Sequence, residues 1–217
     1  MFLDNMRSPP PSTVELSRDI IGTIPVGSRV LEFACALGRT AFRLEEMGYD
    51  VCAFDIDPGS VRAAEKAALS MGSGVEFMTA DGRSLPLKDG SFDACVMNAY
   101  MTMMTDPDSR RRSVSEACRI LVGGGYLYVA DFLRNPELPE YRKRYREHQD
   151  LTGEEGTFIV YESGEGSREL YRAHHYTEEE LLGYLEGLFR VLIRRKTRFR
   201  SYHGNELDGI IILARKL

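Results

Sequence analysis

The chain has no tryptophan, and only four cysteines and four histidines among its 217 residues. Cys35, Cys52, Cys95 and Cys118 show no metal-type spacing, and four histidines spread along the sequence build no metal site. No metal is expected, and the thiols read as buried and inert in a reducing compartment. No apolar run reaches the roughly 18–20 residues that a spanning helix needs. The opening segment, MFLDNMRSPPPS, lacks the basic stretch and apolar run of a signal peptide. A cytoplasmic chain with no membrane partner is expected. Positive charge is not in excess, because the formal net charge is -5, which argues against a general nucleic-acid binder. The phosphate-cradling pattern G-x-x-x-x-G-K-[ST] is absent. There is no internal repeat, and no low-complexity segment beyond Pro9, Pro10 and Pro11.

What is present is globular. The hydrophobic fraction of 43% and the charged fraction of 28% fit one domain with its own core. After the prolines, Ser12 or Thr13 can cap a helix to about Ile24, with Val14, Ile20, Ile21 and Ile24 as its apolar points. Strand-like and helix-like segments then alternate. Strands are predicted at Arg29–Phe33, Val51–Phe54, Val75–Met78, Asp93–Met97 and Tyr126–Ala130. The intervening helices start near Arg39, at Asp57-Pro58 and near Asp108, and end near Gly48, Gly72 and the Gly123–Gly125 turn. A β-α repeat implies a parallel sheet with right-handed crossovers. The rhythm breaks after Asp131. Residues 132–176 contain a basic stretch, YRKRYREH, and two strand-like runs around Gly164-Glu165-Gly166, the pattern of a hairpin. Thr177 and Glu180 then form a capping box. Two further strands, RVLIRRKTRFRS and GIIILAR, close the chain around Gly204-Asn205.

The informative chemistry lies at strand ends. Glu32, Asp55 and Asp81 end three successive strands or stand just beyond them, so all three point to the crevice where open α/β sheets bind ligands. Between Glu32 and the next helix runs Phe33-Ala34-Cys35-Ala36-Leu37-Gly38, a turn of mostly small residues. A dinucleotide fingerprint, G-x-G-x-x-G, would put glycine at Ala34, Ala36 and Arg39, and none is glycine. Three acids suit a ligand carrying cationic groups better than one carrying phosphates.

The strand, acid and small-residue turn from Val30 to Thr40 resemble the first motif of the class I S-adenosylmethionine (SAM)-dependent methyltransferases, in which Asp or Glu precedes G-x-G-x-G. Ala34, Ala36 and Gly38 take the glycine positions. LPLKDGSFDACVMNAYM resembles the region around strand four in the small-molecule branch, where L-P-F-x-D-x-S-F-D is typical. EACRILVGGGYLYVAD resembles that branch's next helix, glycine turn and strand five. The resemblance implies a Rossmann-like α/β domain over residues 1–217: leader and helix 1–28, cofactor-binding core 29–131, lid 132–176, and a C-terminal helix and strand pair 177–217. Its seven-stranded, mostly parallel sheet would run 3-2-1-4-5-7-6, with strand 7 antiparallel and helices on both faces. It implies SAM as cofactor, S-adenosylhomocysteine as product, and a small-molecule acceptor. The implied cofactor residues are Glu32, Ala34, Cys35, Ala36, Gly38, Asp55, Ile56, Asp81, Gly82 and Asn98. Asp55 would bind the ribose, Asp81 the adenine amino group, and Glu32 the methionine end.

Glycine permits positive φ. If Ala36 adopts it, strain of about 1–2 kcal/mol results. A non-catalytic binding module is therefore one alternative. An RNA methyltransferase using the basic run Arg190, Arg194, Arg195, Lys196, Arg198 and Arg200 is another, although those residues also suit a solvated strand face. Asn98-Ala-Tyr100-Met101 is not the Asn-Pro-Pro-Tyr motif of amino-group DNA methyltransferases, so no DNA partner is expected. Tyr100 is a candidate substrate contact. Met97, Met101, Met103 and Met104 suit either an adaptable pocket or core. His174 and His175 point to opposite faces of a strand, and His175 is a candidate general base with a pKa near neutrality.

Overall fold

The computed structural model describes residues 13–162, 168–201 and 204–217. In chain order these form α1 (Arg18–Ile21), β1 (Arg29–Phe33), α2 (Arg39–Glu46), β2 (Asp50–Asp55), α3 (Pro58–Met71), β3 (Glu76–Thr79), β4 (Phe92–Asn98), a 3-10 turn (Met101–Met103), α4 (Pro107–Ile120), β5 (Leu121–Phe132), α5 (Pro139–Thr152), β6 (Thr157–Tyr161), β7 (Glu169–His174), α6 (Glu178–Leu185), β8 (Phe189–Arg200) and β9 (Glu206–Lys216). The expected hairpin loop Gly164-Glu165-Gly166, the prolines, Ser12 and His203 lie outside the described residues.

Seven strands pair in the order β3-β2-β1-β4-β5-β9-β8. β1 to β5 are parallel, and β9 runs antiparallel to both its neighbours. With β6 and β7 set aside as their own antiparallel pair, this is the expected order and direction. The inner strands β1, β2, β4, β5 and β9 are largely buried on both faces, so they read as apolar runs rather than alternating ones. Leu31, Phe33, Phe54, Cys95, Met97, Leu127 and Val129 face Val114, Ala117, Leu181 and Leu185 of α4 and α6. Val30, Val51, Ala53, Ala94, Val96 and Ala130 face Ile20, Ile21, Ala41 and Leu44 of α1 and α2. The period of two places Glu32, Asp55 and Asn98 on that second face, each at its strand's carboxyl end.

Helix starts follow local chemistry. Asp57 accepts hydrogen bonds from the amides of Gly59 (3.1 Å) and Ser60 (2.9 Å), with Pro58 in the first turn. Asp106 caps α4 through the Ser109 amide at 2.9 Å, again ahead of a proline. Thr177 caps α6 through the Glu180 amide at 3.1 Å. The second half of that capping box differs from expectation, because the Glu180 carboxylate turns to His174 and Arg110 instead.

Three segments depart from the sequence reading. The first helix spans only Arg18–Ile21. Val14 is 1% exposed, and its carbonyl accepts from Asn98 Nδ2 (2.9 Å) and Arg39 Nη2 (3.0 Å). The Ser17 amide donates to the Tyr128 hydroxyl at 3.1 Å. Tertiary bonds thus replace helical ones, and residues 13–17 strap the carboxyl ends of the strands. Gly123–Gly125 is not a turn before β5 but part of it; the ladder with β4 slips between Phe92 and Ala94, and Gly124 absorbs a φ of 74°. The basic stretch YRKRYREH lies in α5, whose Tyr141 and Tyr145, one turn apart, bury against Phe158, Ala173 and Leu207.

Candidate active site

The turn after β1 takes the conformation that glycine would favour, using alanine. Ala34 has φ 54°, Ala36 φ 46° and Gly38 φ 83°. The Cys35 amide donates to the Phe54 carbonyl (2.8 Å), the Ala36 amide to Asp55 Oδ2 (2.8 Å), and the Gly38 amide to the Cys35 carbonyl (2.8 Å). These bonds hold the strained residues within the fold, so their cost of about 1–3 kcal/mol each falls on folding rather than on ligand capture. Gly38 has no substitute: a Cβ there would lie 2.9 Å from both Phe42 and Phe77.

Glu32 is 3% exposed. Burial pushes its carboxyl up to about 8, against the opposing pull of hydrogen bonds from Thr40 and the Ala41 amide. Its Oε2 is fully buried and has no hydrogen-bond partner among the described residues. The Asn98 side-chain oxygen, one strand away, is a second such orphan. Buried acceptors are nearly always satisfied, so two unmet ones at adjacent strand ends mark a place for a donor. Asp55 is half-buried, while Ile56 and Leu37 are 53% and 55% exposed beside it. Asp81 is more committed than the sequence suggested. Arg83 reaches both its oxygens, from Nε at 2.9 Å and from Nη2 at 2.6 Å, and holds the carboxyl below its ordinary range. Cys35 is buried, and desolvation, with the charges of Glu32 and Asp55, raises its thiol pKa.

Comparison with known proteins fixes the family. The description "Methyltransferase domain" matches residues 31–129. A SAM-dependent methyltransferase of Methanosarcina mazei is 34% identical, superposes with a TM-score of 0.90, and is matched over 94% of this chain and 99% of its own. The chain belongs to the SAM-dependent methyltransferases. The demethylmenaquinone methyltransferase of Renibacterium salmoninarum is 28% identical over 130 residues, 60% of this methyltransferase chain and 51% of that protein. The chain spans about half the length of the curated relatives it matches. The 1,6-didemethyltoxoflavin-N1-methyltransferase of Burkholderia thailandensis, solved with that compound and S-adenosylhomocysteine, shares the fold at a TM-score of 0.65 and 17% identity, over 92% of this chain and 74% of its own.

Other expected site residues of this methyltransferase are placed differently. Tyr100 packs into the core of the first sheet face. It is 3% exposed, lies edge-on to Phe33, and shares a 2.8 Å hydrogen bond with Ser113 that leaves its hydroxyl pushed up to about 12 by burial. Gly82 is explained by the same ring, because a Cβ there would run into the Tyr100 hydroxyl. Met97 and Met101 are core, while Met103 and Met104 are half-buried. His174 and His175 do diverge. His175 is not a base near neutrality: it is 4% exposed, and burial lowers its pKa to about 3. Its ring stacks between Phe132 and Tyr141, and Nδ1 meets the Tyr145 hydroxyl at 2.7 Å. The basic run of β8 carries ion pairs on both faces of the strand: Arg194 and Lys196 pair with Glu178, Arg195 with Asp19, and Arg198 with Asp208.

Sequence reasoning missed two buried charges. Asp131, wholly buried at the end of β5, accepts from the amides of Phe132 (2.8 Å) and Thr102 (3.0 Å). Its place at a strand end beside Asn98 was a readable signal. Arg110, also wholly buried, gave none within the run Arg110-Arg111-Arg112.

Proposed function

We propose that this chain transfers the methyl group of SAM to a small-molecule acceptor. The reading is carried by the unpartnered, buried Oε2 of Glu32 beside the left-handed turn. A carboxylate oxygen left without a partner fits the ammonium of the cofactor's methionine end, with the Asn98 oxygen as a second acceptor. Asp55, at the end of the next strand, would accept from the ribose hydroxyls, and the exposed Ile56 and Leu37 would cover an apolar ring. When bound, SAM supplies an activated methyl group. The chain's task is then alignment and exclusion of water. Glu32, Asp55 and Asn98 fix one reactant from the second sheet face, and the strap at 13–17 covers the same strand ends. Tyr100 and His175 are both buried and committed to internal hydrogen bonds, so on this reading the acceptor would bring its own nucleophilicity. A small acceptor is supported by the names of the relatives, which act on quinone precursors and a heterocycle.

The test is isothermal titration of S-adenosylmethionine and S-adenosylhomocysteine into the wild type and Asp55→Ala. Micromolar binding that is lost in the variant supports the assignment. Absence of binding to folded wild type overturns it in favour of a non-catalytic module.

A further inference from the structure

One guanidinium joins four parts of the fold. Arg110, on α4, has no exposed side-chain surface. Its Nη1 and Nη2 donate to the two carboxylate oxygens of Glu154 at 2.6 Å each, the bidentate geometry in which arginine binds most firmly. Nη1 also reaches Glu180 Oε1 of α6 at 3.2 Å and the Tyr184 hydroxyl at 3.3 Å. Nε donates to the Met104 carbonyl at 2.7 Å, at the close of the loop that leaves Asn98. Glu154 follows α5 and so belongs to the insertion. It also accepts from Thr157 Oγ1 at 2.8 Å, and His174 Nε2 meets Glu180 at 3.1 Å.

Glu154, His174 and Glu180 bring their ligand atoms within 4.8 Å of one another, close enough to hold a metal ion. A cation already stands there, because the Arg110 guanidinium lies between both carboxylates. The cluster is a joint rather than a vacant metal site. The same loop is gripped from the insertion by two further bonds: the Tyr176 hydroxyl donates to the Met101 carbonyl at 2.5 Å, and Thr102 Oγ1 donates to the His174 carbonyl at 3.0 Å. Ala99, at φ 54°, begins the loop in a strained conformation that persists only where the surroundings over-determine it.

We propose that Arg110 is a positioning residue for the active-site crevice: through Met104 it sets the loop 99–104 that carries on from Asn98, and through Glu154 it makes that setting depend on docking of the insertion. The insertion then acts as a lid whose seating is transmitted to the crevice, so an acceptor that orders the lid also orders the loop. The link to cofactor affinity rests on the crevice being the SAM site.

The test is hydrogen–deuterium exchange of the whole chain, with and without S-adenosylhomocysteine, for wild type, Glu154→Gln and Arg110→Lys. Glu154→Gln keeps the side chain's shape and leaves Arg110 its Glu180 partner. Glu155→Gln, whose carboxylate pairs with Arg134, is the control. The expected result is faster exchange in both 139–161 and 98–104 for Glu154→Gln and Arg110→Lys, with affinity for S-adenosylhomocysteine weakened at least fivefold, and neither effect in the control. Faster exchange confined to 139–161, with 98–104 and affinity unchanged, overturns the proposal. So does a uniform rise that includes β1 and β5, since that reports lost stability alone. If wild type binds no S-adenosylhomocysteine, the cofactor reading fails while the exchange pattern still decides the coupling.

Discussion

The carboxylate of Asp55 holds the backbone amide of Ala36 at 2.8 Å, across from β2 to the turn after β1. Its other oxygen takes the Asp57 amide at 2.9 Å. One side chain therefore braces a left-handed turn and starts the approach to α3, before any ligand is considered. An acid in this role is fixed in direction, as a residue that must meet a ribose should be.

The strain in that turn is measurable. Replacing Ala36 by glycine removes about 1–2 kcal/mol of left-handed penalty and adds about 0.5–1 kcal/mol of unfolded-state entropy. The net expectation is a gain in stability of about 0.5–1 kcal/mol by denaturant unfolding. Gly38→Ala should go the other way by about 2–4 kcal/mol, since strain adds to overpacking against Phe42 and Phe77.

Glu32 should release a proton when a cationic ligand binds. Burial holds its carboxyl at about 8, so the neutral form predominates at pH 7. An ammonium beside Oε2 favours the ionised form. Calorimetry of S-adenosylhomocysteine binding at pH 7, in two buffers of different ionisation enthalpy, should report a proton released by the wild type and a smaller release by Glu32→Gln. Equal values for the two proteins would remove Glu32 from the site.

His175 should remain neutral from pH 5 to 8, with no imidazole titration by NMR, because its pKa is lowered to about 3. The Asn135 amide donates to the Tyr145 oxygen at 3.3 Å, which directs the Tyr145 proton to His175 Nδ1 and places the ring's own proton on Nε2. Tyr145→Phe leaves that buried nitrogen unpaired and should cost about 1–3 kcal/mol of stability.

Stability should fall as pH rises through neutrality. Burial raises Asp131 from 3.8 to about 7 and Glu32 from 4.5 to about 8. Between those limits the folded chain binds more protons than the unfolded one, so their contribution is full below about pH 4 and is lost by about pH 8. Below about pH 6.5 the lowered pKa values of His175 and His148 act the other way, so a thermal midpoint that declines from pH 6.5 to 8, and declines less in Asp131→Asn, is the expected record. A midpoint that climbs over that interval contradicts it.

The sheet was legible because each strand end carries a local signal. Glu32, Asp55, Asp57-Pro58 and the spacing of apolar runs all agree on one crevice. α5 was harder to see because Arg142, Lys143, Arg144 and Arg146 dilute its apolar stripe to Leu138, Tyr141 and Tyr145; Pro139 at its first turn and Gly153 after its end were the missed cues. The first helix is shorter than its pattern implies. Val14 fits a helical stripe, and nothing local reveals that Asn98, far along the chain, claims its carbonyl. Arg110 and Tyr100 were opaque for a related reason. Their partners Glu154 and Ser113 come together with them only through tertiary packing.

The outermost strand of the sheet has a consequence for encounters between copies. β8 is an edge, with one side of its backbone unpaired by β9. Arg190, Arg194, Arg195, Lys196, Arg198 and Arg200 line it. A second sheet approaching this edge to extend the ladder would set one row of cations against another, and would have to detach Arg194, Arg195 and Lys196 from Glu178 and Asp19. Charge at an open edge is a common guard against such joining. The same cations that suggest a nucleic-acid patch in the sequence also charge the edge of the sheet.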